Sequence, residues 1–421
     1  MTLSVPPAVV ELRLTDASGV NTFTLNDPTK GLLNNSTYTL GGAAWTDVTD
    51  YVLSSSIRRG KNTALGRYNA GTATVTLDNR TARFDPTIST PSTQHPYAGQ
   101  IKPRTPVRIS IGAEFQFVGI VQDWDYDIPL GGVPTATISA ADGFTELANR
   151  ELSAQTFATG LSSTMINAVL DSADVLYPAD ARDIETGRTT MAAQTVTAGT
   201  NALSFLQLIE SSEPGALFIN RAGNLTFRSR RYAEDLAGAV VISDDRSVGI
   251  PFTDLVVEYG TELLYNRVSI TRTGGAVQTA QNTASIDEFG IWDYSETGLF
   301  MSTDTTALGL AQYYANGYSL PAYRPVALTI NLASLDSDDQ ITILSVDIDD
   351  AVRVKFTPQG GELVDKYMLV SGVAHRIGLG THSVTFDLID AFANSAMIFG
   401  DAAVAPELQP QSLLDSNRYG F

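Results

Sequence analysis

Apolar and polar residues alternate in short runs along most of the chain, a two-residue period that belongs to strands with one buried face. GTATVTLDNR (71–80) alternates up to Asp78-Asn79, and TPVRISIG (105–112) alternates again. EFQFVGIVQDWDYDI (114–128) reads as a long strand in which Gly119 predicts a bulge or bend, and PTATISAADGF (134–144) completes the set. Residues 1–145 are thus expected to form a β-barrel or sandwich. GKNTALGRYNAG (60–71) and FDPTISTPSTQHPYAGQIKPRTP (84–106) are its long polar loops.

Over 146–235 the period changes to a helical one, carried by Leu161, Met165, Ile166, Val169 and Leu170, and then by Leu203, Leu206, Leu208 and Ile209. The second helix is predicted to stop at Glu213-Pro214-Gly215, and GALFINRAGNLTFRSR (215–230) reads as a hairpin about an Asn-Arg-Ala-Gly-Asn turn. This segment is a small α+β insert. Strand patterns resume in TDLVVEYG (253–260) and YNRVSITRTGG (265–275). A helix is expected over Asp304 to Asn316, within an insertion near 276–325. ALTINLA (327–333), DAVRVKF (350–356), KYMLVSGVAHRIG (366–378) and THSVTFDLID (381–390) complete a second β domain over 236–395. Residues 396–421, rich in Ala, Pro, Gln, Ser and Asn, read as an extended arm.

The two β regions resemble each other, which points to an internal duplication. PVRISI matches AVRVKF, pairing Arg108 with Arg353. FVGIVQDW then TATISAADGF matches VSGVAHRI then SVTFDLIDAF, pairing Gly119 with Gly372, Ile120 with Val373, Asp142 with Asp390 and Phe144 with Phe392. Three chains with two similar barrels each can place six similar barrels in one ring.

Composition narrows the function. The 27 basic and 46 acidic residues give a net charge of -19, which opposes binding to nucleic acid phosphates or anionic lipid surfaces. The absence of cysteine excludes disulfides, thiolate metal sites and cysteine nucleophiles, and 3 histidines leave little for a metal site. The N-terminus lacks the pattern of a signal peptide, and no run of about 18 apolar residues suggests a membrane span. A soluble chain made in the cytoplasm is expected.

Several segments carry a family resemblance: WTDVTDYVLSSSIRRG (45–60), AGTATVTLDNRTARFDP (70–86), YAGQIKPRTPVRISI (97–111) and FLQLIESSEPGALFINRAGNLTFRSR (205–230). LYNRVSITRTGG (264–275), ASIDEFG (284–290) and LPAYRPVALTI (320–330) extend it over roughly residues 45 to 390. In these the chain resembles the hub proteins of phage tails, namely the trimeric baseplate hub of contractile tails and the minor tail protein at the tail tip of siphophages. The resemblance implies a mainly β fold with two tail-tube-like β-barrel domains plus a small α/β domain. It implies a homotrimeric, pseudo-sixfold ring in the virion, at the tail tip, around the DNA-ejection channel. Its partners would be the distal tail protein or tail tube, the tape-measure protein, and tail fibre or spike proteins, with DNA passing through unbound. No enzyme activity and no cofactor are implied. A hexameric distal tail ring, and a wall-degrading or glycan-binding protein of the virion, are the other readings.

Asp123, Asp125 and Asp127 alternate on one strand and share a face, with Trp124 and Tyr126 on the other. As calcium ligands they lack the turn glycine and distal glutamate of an EF-hand loop, because Ile128 and Pro134 stand there. A solvated strand face and an acidic channel lining that repels DNA both remain open. Asp336 to Asp339 and Asp347 to Asp350 read as turn chemistry. His375 and His382 read as a cross-strand pair with no nucleophilic serine beside them. Arg58, Arg59, Lys61 and Arg67 concentrate positive charge suited to acidic neighbours at a subunit interface, or to ordinary surface charge, as do Arg228, Arg230 and Arg231.

Overall fold

A computed structural model of the chain describes residues 5–15, 28, 43–61, 63–230, 236 and 238–391. The first half contributes β1 (Ala8–Thr15), β2 (Ala43–Asp47), β3 (Val52–Gly60), β4 (Asn69–Asp78), β5 (Pro106–Ile111), β6 (Glu114–Asp127) and β7 (Thr135–Ala141). Alternation decides what is buried. Val75 and Leu77, Val107 and Ile109, and Ala136 and Ile138 point inward onto Phe84, Phe117 and Val121. The second half contributes β8 (Val240–Ser243), β9 (Ile250–Pro251), β10 (Asp254–Glu258), β11 (Arg324–Asn331), β12 (Ala351–Phe356), β13 (Val364–Gly378) and β14 (Thr381–Asp390).

The first half runs β2-β1-β5-β6-β7-β4-β3 and the second β9-β8-β12-β13-β14-β11-β10, joined by β3 pairing with β13 into one sheet of 14 strands. The expected pair of closed barrels is therefore corrected: among the described residues neither half closes on itself. The reason is the register from Gly60↔Gly372 to Ser54↔Gly378, which commits the outer edge of β3 to the other half.

The halves repeat in detail. In each, a long strand carries a bulge against the strand that follows it, between Val121 and Asp123 in β6 and between Val370 and Gly372 in β13. Just before the bulge, Val121 accepts from the N–H of Arg104 (2.7 Å) and donates to the carbonyl of Thr105 (2.9 Å). Val370 accepts from Asp349 (2.7 Å) and donates to Asp350 (3.0 Å). Arg104 and Asp349 both sit in the left-handed region, at φ 65 and 73, which few non-glycine residues occupy. Arg108, opposite Val118, matches Arg353, opposite Tyr367.

This register also matches Asp142 to Asp390, while Phe392 lies outside the described residues. It moves the other two sequence pairings: Gly119 and Ile120 correspond to Met368 and Leu369, and Gly372 and Val373 to Asp123 and Trp124. β6 bulges at Gln122 against β7 and at Gln116 against β5, not at Gly119. Glycine is required at 119 for another reason, since a Cβ there would stand 2.5 Å from the Ala141 carbonyl. One difference is plain: β1 runs antiparallel to β5, whereas β8 runs parallel to β12.

Between the halves stand α1 (Phe144–Ala148), α2 (Ser162–Asp171) and α3 (Ala202–Ser212), then strands Ala216–Ile219 and Leu225–Arg228 of the expected hairpin. Met165, Ile166, Phe205 and Ile209 pack into an apolar cluster continuous with that of the second half. Further along come α4 (Thr283–Phe289) and α5 (Asp304–Tyr318), and α5 rests Leu310, Ala311 and Tyr314 on Val268 and Ile270. Strand-rich reading missed α6 (Ser337–Ser345), which Asp336 caps by accepting from Asp339 N at 3.0 Å. The 396–421 arm lies outside the described residues.

Candidate functional site on the joined sheet

Because side chains alternate across a sheet, matched registers carry one face from strand to strand. The row Asp123, Ser139, Thr74, Ser56, Arg376, Ser383, Asn331 crosses seven strands, each residue opposite the next. A parallel row starts Asp125, Thr137, Thr76, Ser54. Hydroxyls meet directly in places, with Thr329 and Thr385 2.9 Å apart. Where the halves join, this outward face forms an open groove of about 530 Å³. Arg58, on the same face, pairs with Asp387 at 2.7 Å. The face therefore offers hydroxyls and carboxylates with few cations, a poor match for a phosphate backbone.

Beneath it a polar network fixes the junction. Gly60, at φ 106, brings β3 so close to β13 that a Cβ would stand 2.4 Å from Gly372 Cα. Arg59 is 2% exposed; its Nε donates to the Gln116 carbonyl at 3.0 Å and its Nη2 lies 2.7 Å from Asp347 Oδ1. Asp347 Oδ2 accepts from Arg221 N at 3.0 Å. Gln116 Nε2 (3.0 Å) and Arg221 Nη1 (2.8 Å) share the Leu344 carbonyl. First half, insert and second half are thus tied by one buried cation and its partners.

Next to it His375 Nδ1 and His382 Nε2 lie 3.0 Å apart, both buried. Burial pushes both imidazoles down, His382 to about 4, so the pair is neutral and one ring donates to the other. Lys61 is buried with its ammonium 4.7 Å from the Tyr68 ring centroid, and burial lowers its pKa. Burial pushes nearby Glu210 up to about 7, against the pull of Lys61. Asp142 is raised to about 7 by burial, although it accepts from Gly71 N (2.7 Å) and Phe144 N (3.0 Å).

No family model matches the sequence, and no curated protein is similar to it. Solved structures are. The 43 kDa tail protein of prophage MuSo2 from Shewanella oneidensis superposes with a TM-score of 0.58 at 14% identity, over 92% of this chain and 98% of that one. The tail protein from Neisseria meningitidis MC58 gives a TM-score of 0.58 at 12% identity, over 91% and 97%. This chain has the fold of prophage tail proteins.

Within the tail-protein fold the sequence candidates take up definite positions. Asp123, Asp125 and Asp127 stand exposed on the groove face of β6, with Trp124 and Tyr126 turned toward Phe84. Arg58 and Arg59 bind the chain's own second half, Lys61 is buried, and Arg67 lines a cavity of about 140 Å³ with Glu210, Glu296 and Tyr294. Arg228 pairs with Asp183 at 2.5 Å and Arg230 reaches Thr189, while Arg231 lies outside the described residues. Asp347 to Asp350 form the expected turn, with Asp347 N donating to Asp350 Oδ2 at 2.7 Å, and Asp347 also pairs with Arg59. Among the described residues no three His, Cys, Asp or Glu are grouped as metal ligands. Missing from the sequence reading was the serine and threonine row. Its signal was the identity of the outward residues in TATVT, SSS, TATIS and HSVTF.

Proposed function

We propose that three copies of this chain close into a pseudo-sixfold ring at the tip of a phage tail, a structural hub between tail tube and fibre or spike. The ring encloses the channel through which DNA leaves, and the hydroxyl-lined face with Asp123, Asp125 and Asp127 turns toward that channel. The observation that carries the reading is the repeat of strand order and bulge register in the two halves of a chain with the tail-protein fold. Two equivalent half-sheets per chain supply six around a threefold axis. An uncharged or acidic lining lets a polyanion slide without counterion release. The role is structural rather than catalytic: the buried polar groups at the junction serve one another. Partners above and below are the distal tail protein or tube, the tape-measure protein, and fibre or spike proteins.

The test is placement. Gold-labelled antibody against the chain, applied to intact virions, is expected to mark one end of the tail in electron micrographs. Label along the tube or on the head would refute the reading.

A further inference from the structure

Within the chain the two halves meet edge to edge, β3 on β13. In β13, the segment after the bulge (Gly372 to Gly378) is flanked by β14 on one edge and β3 on the other. Its counterpart in β6, Asp123 to Asp127, is flanked by β7 alone; among the described residues no strand takes its other edge. The counterpart of β3 is β10, because Ser54 and Ser56 sit opposite Thr76 and Thr74 as Asp254 and Val256 sit opposite Thr329 and Ala327. Among the described residues β10 pairs with β11 alone, so its outer edge is likewise open. One chain thus ends in two complementary strand edges whose internal copies already pair with each other.

We infer that the outer edge of β10 in one chain pairs antiparallel with Asp123–Asp127 of β6 in the next copy, in the register of β3 on β13. The inference rests on the ring reading and gives it its interface. Carried over from the internal register, Val256 falls opposite Asp127, Val257 opposite Tyr126, and Tyr259 opposite Trp124. Side-chain chemistry supports this independently of topology. Ile128 and Leu130 beside the β6–β7 hairpin and Tyr259 at the end of β10 are among the most exposed apolar residues of the described chain, and Val133 and Val256 are exposed as well. The pairing would cover Tyr259 and Ile128 on the core side, where Trp124, Tyr126, Leu255 and Val257 already lie half-buried. An open edge against a different open edge is a heterologous contact, and three such contacts close a ring in which both of these edges are paired, with β2 and β9 keeping outer edges of their own. On the channel side Asp125 falls opposite Glu258, so added salt should strengthen association instead of weakening it.

Because the chain has no cysteine, disulfide trapping reads the interface cleanly. Directly opposed positions in an antiparallel pair lie within disulfide reach. The double variant Asp127→Cys/Val256→Cys, oxidised at micromolar concentration, is expected to run as covalent dimers and trimers on a non-reducing gel. Neither single variant should give trimers, and the off-register pair Asp127→Cys/Asp254→Cys should cross-link several-fold less. Ser56→Cys/Arg376→Cys, the internal counterpart, should close within one chain and shows that the geometry permits the bond. Native mass measured on the same samples separates the two claims. A trimer whose Asp127→Cys/Val256→Cys form stays uncrosslinked overturns the edge pairing and leaves the ring standing; a monomer overturns both.

Discussion

At the residue scale the junction rests on a buried ion pair. Arg59 is the largest fully buried side chain of the described residues, and Asp347 is its ion-pair partner. Taking away one member leaves an uncompensated buried charge, so Asp347→Asn is expected to destabilise the chain by about 3–5 kcal/mol in urea denaturation. The apolar replacement Arg59→Met/Asp347→Leu should recover much of that loss, which a merely steric defect would not allow. The histidine pair makes a prediction in pH. His382 stays neutral in the fold down to about 4 but takes up a proton near 6.5 when unfolded, so its contribution is full above pH 6.5 and is lost as pH falls toward 4. Between pH 6.5 and 5 that loss is about 2 kcal/mol. Buried Asp142 and Glu210, raised to about 7, act in the opposite direction over the same range. The comparison is therefore with His382→Gln: the stability gap between the two proteins should narrow on acidification, and a gap independent of pH would contradict the assignment.

At the scale of elements, the strands were legible because a half-buried sheet imposes a period of two, and α2, α3 and α5 because their apolar residues recur at helical spacing. α6 was not legible. Its Asp336, Asp338 and Asp339 look like a turn until Asp336 is seen as an N-cap, and only Gln340, Ile343 and Leu344 of its nine residues are buried. The bulges of β6, at Gln116 and Gln122, were missed for a related reason. Glycine signals both bulges and close backbone approach, and Gly119 answers to the second, while both bulges fall on glutamine, whose type carries no such signal. The partners of Arg59 were also out of reach, since the Gln116 carbonyl and the Asp347 carboxylate meet it only through contacts between residues far apart in the sequence. What alternation did show was that Asp123, Asp125 and Asp127 share an outward face. Turning that face basic with Asp123→Lys/Asp125→Lys should slow DNA ejection at low salt, by several-fold, in virions whose tails assemble normally. Unchanged ejection kinetics in such particles would remove the β6 face from the channel wall.

At the scale of the whole molecule, the duplication visible in Arg108/Arg353 and Asp142/Asp390 becomes a statement about symmetry. Two half-sheets built alike are joined edge to edge into one sheet, in which part of β6 and all of β10, besides the terminal strands β2 and β9, have an open edge among the described residues. The sequence pattern alone suggested two self-contained barrels, because alternation reports which face is buried and not which strand lies alongside. Pairing between the halves, at the close approach of Gly60 and Gly372, joins what the sequence pattern suggested as two separate units into one sheet. A ring of such chains requires a definite number of copies. Native mass spectrometry of the purified chain at micromolar concentration should return three times the 45.0 kDa chain mass. A persistent monomer, or a hexamer, would contradict it.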